Sequence, residues 1–117
     1  MIKVYAYTGC STCRNALKFL QERKVAHEVI AIRETPPTKA ELKRMLAVYG
    51  GALRKLFNTS GQDYRALGIG EKLDGLTVDQ ALTLLNGNGN LVKRPFVLTK
   101  ESGAVGFKPE EWEKLIG

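Results

Sequence analysis

Within its first 32 residues the chain alternates an apolar run, an amphipathic stretch and a second apolar run, and that order dictates the local topology. Ile2-Lys3-Val4-Tyr5-Ala6-Tyr7 is rich in β-branched and aromatic residues and stops at Gly9, the pattern of a buried strand. From Arg14 to Arg23 the apolar Ala16, Leu17, Phe19 and Leu20 recur at helical spacing, while Lys18, Glu22 and Arg23 face outward. Val25 to Ile32 reads as a second strand. About ten residues of helix between two strands form a βαβ unit, which makes the strands parallel and the crossover right-handed. Cys10 and Cys13 fall at the strand end and in the first helical turn.

Thr35-Pro36-Pro37 stops the second strand, and Thr38 with Glu41 has the form of a helix N-cap and its capping-box partner. A helix from Lys39 to Tyr49 is expected, ended by Gly50-Gly51. From Ala52 to Gly75 the apolar residues are irregularly spaced among turn residues, which reads as short helices in a small lobe apart. Thr77 caps a helix from Val78 to Leu85, and Asn86-Gly87-Asn88-Gly89-Asn90 reads as a turn. Phe96 to Thr99 and Ala104 to Phe107 flank a Glu101-Ser102-Gly103 turn and predict a β-hairpin. Pro109 opens a last helix to Ile116. The order β-α-β, helices, β-β-α describes one α/β domain, a thioredoxin-like sheet (about 1–34 and 91–117) with an inserted helical subdomain (about 35–90).

At 117 residues the chain has the length of one domain, and 44% hydrophobic with 26% charged residues is ordinary globular composition. No apolar run approaches the roughly 20 residues of a membrane span, and the N-terminus lacks the apolar stretch of a secretory signal, so a cytoplasmic location is expected. Two cysteines are too few for a disulfide-stapled scaffold. The net charge of +6 favours an anionic partner. Direct DNA binding is disfavoured, because the basic residues are scattered from Lys3 to Lys114 and no nucleic-acid motif occurs.

Cys10, at a strand-to-helix junction, meets unpaired backbone N–H groups and the positive end of the helix dipole, which stabilise a thiolate. Arg14, one turn on, adds positive charge. Cys13 is spaced to attack an adduct on Cys10 and release its product. Redox chemistry is the reading the spacing favours. Inert buried thiols, or half of a zinc site, are the alternatives, and zinc would need two further ligands where the sequence offers only His27. No metal site is expected. His27 reads as a half-exposed strand residue, Trp112 as core packing, and at least one of Tyr5 and Tyr7 as packed under the turn that carries the cysteines. Pro95 at the head of the hairpin is a candidate cis peptide, with a trans edge-strand proline as the equal alternative. Lys93 and Arg94 serve an anion or solvate a loop, and a short charged run favours solvation.

Several stretches together resemble the glutaredoxin-dependent arsenate reductase family. They are Tyr5-Ala6-Tyr7-Thr8-Gly9-Cys10-Ser11-Thr12-Cys13-Arg14, Thr35-Pro36-Pro37, Arg54-Lys55-Leu56-Phe57-Asn58, Leu91-Val92-Lys93-Arg94-Pro95 and Val105-Gly106-Phe107-Lys108-Pro109. The same family includes the Spx transcriptional regulators, which carry a C-x-x-C. The resemblance implies a thioredoxin-like fold with a helical insertion. It also implies a nucleophilic cysteine at Cys10, resolved by glutathione and regenerated by glutaredoxin, with glutathione a co-substrate and no resident cofactor.

Of the three arginines that hold the oxyanion in those reductases, Arg54 and Arg94 match two, and Lys108 stands at the third. An ammonium is a point of charge where a guanidinium offers a planar fork, so Lys108 weakens the case for tight arsenate binding. Cys13 stands where single-cysteine reductases usually have Ser, and implies an internal disulfide with Cys10. Two functions are carried forward. One is a thiol-dependent oxidoreductase acting on an oxyanion or disulfide through Cys10, Cys13, Arg14, Arg54 and Arg94. The other is a Spx-like regulator that binds an RNA polymerase subunit through a Cys10–Cys13 switch.

Overall fold

The computed structural model describes residues 2–116. Strand β1 (Ile2–Ala6) leads into helix α1 (Ser11–Glu22) and strand β2 (His27–Ala31), with β1 and β2 parallel. Helices α2 (Lys39–Val48), α3 (Gln62–Ala66), α4 (Ile69–Lys72) and α5 (Val78–Gly87) follow, interleaved with single 3-10 turns at Leu53–Leu56, Leu73–Gly75 and Gly89–Leu91. Strands β3 (Phe96–Leu98) and β4 (Gly103–Val105) form the hairpin, and α6 (Pro109–Ile116) closes the chain. The sheet runs β2-β1-β3-β4, mixed, with β3 antiparallel to both of its neighbours.

Strand alternation divides the interior in two. Val4 and Ala6 of β1, with Val97 and Ala104, face Cys13, Ala16, Phe19 and Leu20 of α1 and Trp112 of α6. Trp112 is fully buried, stacks edge-on against Phe19 and Phe107, and donates its indole N–H to the Gly106 carbonyl at 3.0 Å. Tyr5, Phe96 and Leu98 point to the opposite face, where Leu42, Met45 and Leu46 of α2 and Ala81, Leu82 and Leu85 of α5 cover them.

That second core continues without a break through Leu56, Phe57, Tyr64, Ile69 and Leu73. The short helices of 52–75 therefore share one interior with the sheet, and the expectation of a lobe apart is corrected. Their irregular apolar spacing reflects one-turn elements that each contribute one or two side chains to a common core.

Both long helices of the insertion begin with full capping boxes, Thr38 with Glu41 and Thr77 with Gln80. Glu41 does more than cap, since its carboxylate also accepts from the Tyr5 hydroxyl at 2.6 Å and the Lys3 ammonium at 2.9 Å, tying α2 to β1. Burial opposes its charge, but those donors and the Thr38 N–H outweigh it and hold its pKa below the usual range. The Asn86–Asn90 segment is also more ordered than a turn. Helix α5 runs on to Gly87, and Gly89 lies so close to β2's end that a Cβ there would sit 1.9 Å from the Ile32 carbonyl oxygen. Only glycine permits that approach.

Candidate active site

The register of the sheet gathers the candidate residues at one edge. Cys10 follows the C-terminal end of β1. Because β3 runs antiparallel with Tyr5 opposite Phe96, Arg94 and Pro95 arrive at that same end, and with Phe96 opposite Val105 so do Gly106, Phe107 and Lys108. A bridge between Phe57 and Val92 brings the turn that carries Arg54 alongside. His27 pairs with Ile2, at the far end of β1, and its Nδ1 lies 2.7 Å from the Val25 carbonyl. It takes no part in the site.

Cys10 is the N-cap of α1, in extended conformation (φ −96°, ψ 121°), with its backbone N–H held by the Tyr7 carbonyl at 3.0 Å. Its thiol is half-buried and makes no capping hydrogen bond. Burial raises its pKa, but the Cys13 N–H and thiol, the Thr12 N–H and the Arg94 charge together pull it below the ordinary thiol value. Cys13, fully buried, behaves oppositely. Burial, opposed only in part by the Tyr7 backbone, and the neighbouring Cys10 push it up to about 11. The two thiols are chemically unequal, one poised to ionise and the other held as a neutral S–H donor.

Arg14 does not supply the positive charge at the sulfur. Its guanidinium donates to the Thr8 carbonyl at 2.9 Å and braces the loop before the helix. Arg94 supplies that charge. It lies half-buried over the Tyr7 ring, 5.1 Å from the centroid, with Nη1 sealed from solvent and lacking a hydrogen-bond partner. The Arg94–Pro95 peptide is cis, and the Pro95 carbonyl accepts from the Gly106 N–H at 2.9 Å. Tyr7 packs beneath the turn, since a Cβ on Gly9 would meet its ring at 2.6 Å.

Beside the turn lies a cleft of about 620 Å³ that Arg54, Arg94 and Lys108 line together with Thr12, Lys55 and Lys93. All three cations assigned by resemblance thus share one cavity. Arg54 is held there by a 3.0 Å bond from Nη1 to the Tyr64 hydroxyl. Lys55 was not singled out from sequence, although its place next to Arg54 is a signal for it. Lys93, for which the sequence favours loop solvation, borders the same cleft. Among the described residues, no cluster of three or more His, Cys, Asp or Glu side chains is arranged to hold a metal. No helix among them is long and apolar enough to cross a membrane.

A thiol at a helix N-cap next to a cation-lined cleft, on a four-stranded mixed sheet with an inserted helical cover, is the architecture of a thioredoxin-like protein. The ArsC family profile matches residues 5–115, and the chain belongs to that family. It is 44% identical to the uncharacterized YusI protein of Bacillus subtilis over 94% of this chain and 93% of that one. It is 33% identical to an arsenate reductase of Escherichia coli, over 84% of this chain and 68% of the relative, and 28% identical to the global transcriptional regulator Spx of Streptococcus agalactiae, over 95% and 80%. Among solved structures, an ArsC-family-related protein from Bacteroides fragilis superposes with a TM-score of 0.91 at 43% identity, covering 97% of this chain and 96% of that one.

Proposed function

We propose that the chain is a thiol-dependent reductase in which Cys10 is the nucleophile. The observation that carries this reading is the half-buried Cys10 thiol at the N-cap of α1, lowered in pKa in part by Arg94, which with Arg54 and Lys108 lines the cationic cleft beside the turn. A thiolate is the reactive form, and a fixed positive charge beside it also stabilises the negative charge of the group under attack.

With an oxyanion as substrate, the Cys10 thiolate bonds to the central atom and one oxygen leaves as water. A second thiol then attacks the Cys10 sulfur. A disulfide forms, and the electron pair of the broken bond stays on the reduced oxyanion. With a disulfide as substrate, Cys10 attacks one sulfur and expels the other as a thiol, and the second thiol resolves the mixed disulfide. In both cases two thiols lose the two electrons that the substrate gains.

In this reading Cys13 is the second thiol, with glutathione as the external alternative and glutaredoxin as the protein that restores the dithiol. Arg54, Arg94 and Lys108 hold the anion. Lys108, lacking the guanidinium fork, makes a less shape-selective contact than the other two. NADPH consumption with arsenate, glutathione, glutaredoxin and glutathione reductase tests the reading. Wild-type turnover that vanishes in Cys10→Ser supports it, and unchanged turnover in Cys10→Ser refutes it.

A second reading is favoured by the pairing of a readily ionised Cys10 with a buried Cys13 and by similarity to Spx. In it the Cys10–Cys13 disulfide is a switch that changes the surface offered to an RNA polymerase subunit. Pull-down of polymerase by the oxidised protein but not the reduced one would support this regulator over the reductase.

A further inference from the structure

The cations assigned to the oxyanion account for only part of the cleft of about 620 Å³ beside the cysteine turn. Tyr49, Ala52, Val105 and Phe107 also line it, and none of them is buried. A cavity of this size falls in the range that takes whole organic molecules, roughly 300–1,000 Å³. A bare tetrahedral oxyanion fills a small share of it and has no apolar surface to set against those side chains.

The apolar walls are fixed in advance. The Tyr49 hydroxyl accepts from the Val105 N–H at 3.0 Å, which pins the Tyr49 ring to β4. Phe107 is wedged edge-on against Phe19 and Trp112, with centroids 5.3 and 5.1 Å away. Walls already held in place take a ligand at little ordering cost. Apolar and cationic side chains also stand together on both segments, Ala52 with Arg54 and Lys55 on one, Val105 and Phe107 with Lys108 on the other. A planar π-system makes favourable contact with both kinds of neighbour, whereas an alkyl chain gains only from the first. Glu111 borders, with Tyr49, the adjoining cleft of about 500 Å³, so it marks the boundary between the two and disfavours an anion at that end.

We propose that the cleft selects an anionic group joined to an aromatic ring, so that an aryl oxyanion is taken in preference to a bare inorganic one. The anion lies with Arg54 and Lys108, and the ring lies against Val105 and Phe107. This substrate class rests on the reductase reading for its chemistry, whose steps are those given above with the ring retained on the central atom. The binding preference itself does not depend on turnover at Cys10.

The test titrates the reduced protein with methylphosphonate and with phenylphosphonate, at a pH where both are dianions, and follows the backbone amide signals of Val105, Gly106 and Phe107 by nitrogen–proton NMR. Phenylphosphonate should bind at least about tenfold more tightly, less than full burial of a phenyl group supplies. Val105→Thr keeps the branched shape and puts a hydroxyl on the wall, and Ala52→Asn places an amide there at an exposed position. Each should lower the phenyl-to-methyl affinity ratio by about threefold or more. Absence of phenylphosphonate binding, equal affinities, shifts confined to residues outside the cleft, or a ratio that neither substitution lowers overturns the proposal. The phosphonates carry no reducible centre, so failure here is distinct from failure of the NADPH assay, which bears on the reductase reading.

Discussion

Gly9→Ala perturbs the site through one methyl group. A Cβ at that position would lie 2.6, 2.7 and 2.8 Å from Cε2, Cζ and the hydroxyl oxygen of Tyr7, roughly 1 Å inside ordinary contact. The backbone at Gly9 does not need a positive φ, so alanine brings no conformational strain and even removes about 0.4–1 kcal/mol of unfolded-state entropy. The clash is therefore the whole perturbation. Overpacking of this size costs about 1–3 kcal/mol, leaving a net destabilisation of about 1–2 kcal/mol.

The ring cannot swing aside without consequence, because Arg33 and Arg94 both rest on it. Cation–π contacts of about 0.5–1 kcal/mol each are lost or realigned, and Arg94 moves relative to the Cys10 sulfur. Urea unfolding and the pH profile of Cys10 alkylation by iodoacetamide are the assays, on wild type, Gly9→Ala, Tyr7→Ala and the double variant. Tyr7→Ala removes the obstacle, so adding Gly9→Ala to it should stabilise by about 0.4–1 kcal/mol and the cycle should show the full clash, about 1–3 kcal/mol, as coupling. Additive losses, or a Gly9→Ala profile that superposes on wild type, would refute the placement of Tyr7 as the shelf for Arg94.

Arg94→Leu should move the Cys10 alkylation midpoint to higher pH, since the lost charge is one of the factors that lower that thiol. Cys13, folded with its pKa pushed up to about 11, favours the native state fully below the ordinary thiol pKa. That contribution is lost as pH rises through about 11, so Cys13→Ser should flatten the alkaline limb of a urea-stability curve. Glu41, depressed in the folded state, contributes stability above the ordinary carboxylate pKa and loses it as pH falls through its lower folded value. Glu41→Gln should accordingly show a weaker acid-side decline between about pH 5 and 3 in the same assay. Lys108→Arg should lower the KM for an oxyanion substrate in the coupled turnover assay, by supplying the fork that lysine lacks.

The βαβ start, the hairpin and the last helix were legible because each depends on local pattern: alternating β-branched residues, a helical stripe, and Pro109 at a first helical position. The cysteine pair was legible for the same reason, since three residues of sequence carry it from a strand end into a helix. What local pattern does not carry is register. That Arg54 reaches the cleft depends on the Phe57–Val92 bridge, and that the charge of Arg94 rather than Arg14 acts on the thiol depends on β3 running back along β1. Arg14 satisfies the nearest carbonyl instead, a choice invisible in spacing. Arg33 carries no sequence signal at all, being one basic residue after a strand until Tyr7 is seen beneath it. The short helices of 52–75 misled because their apolar residues follow a shared core and no single helical face.

In the proposed reaction Cys10, and not Cys13, takes the covalent bond to substrate. Mass-spectrometric peptide mapping of the Cys13→Ser and Cys10→Ser proteins after brief exposure to glutathione disulfide near neutral pH tests it directly. A glutathione mixed disulfide is expected on Cys10 in the first protein and little or none on Cys13 in the second, where the remaining thiol is buried and held protonated. Failure of Cys10 to form the adduct, or modification of Cys13 at the same rate, would contradict it.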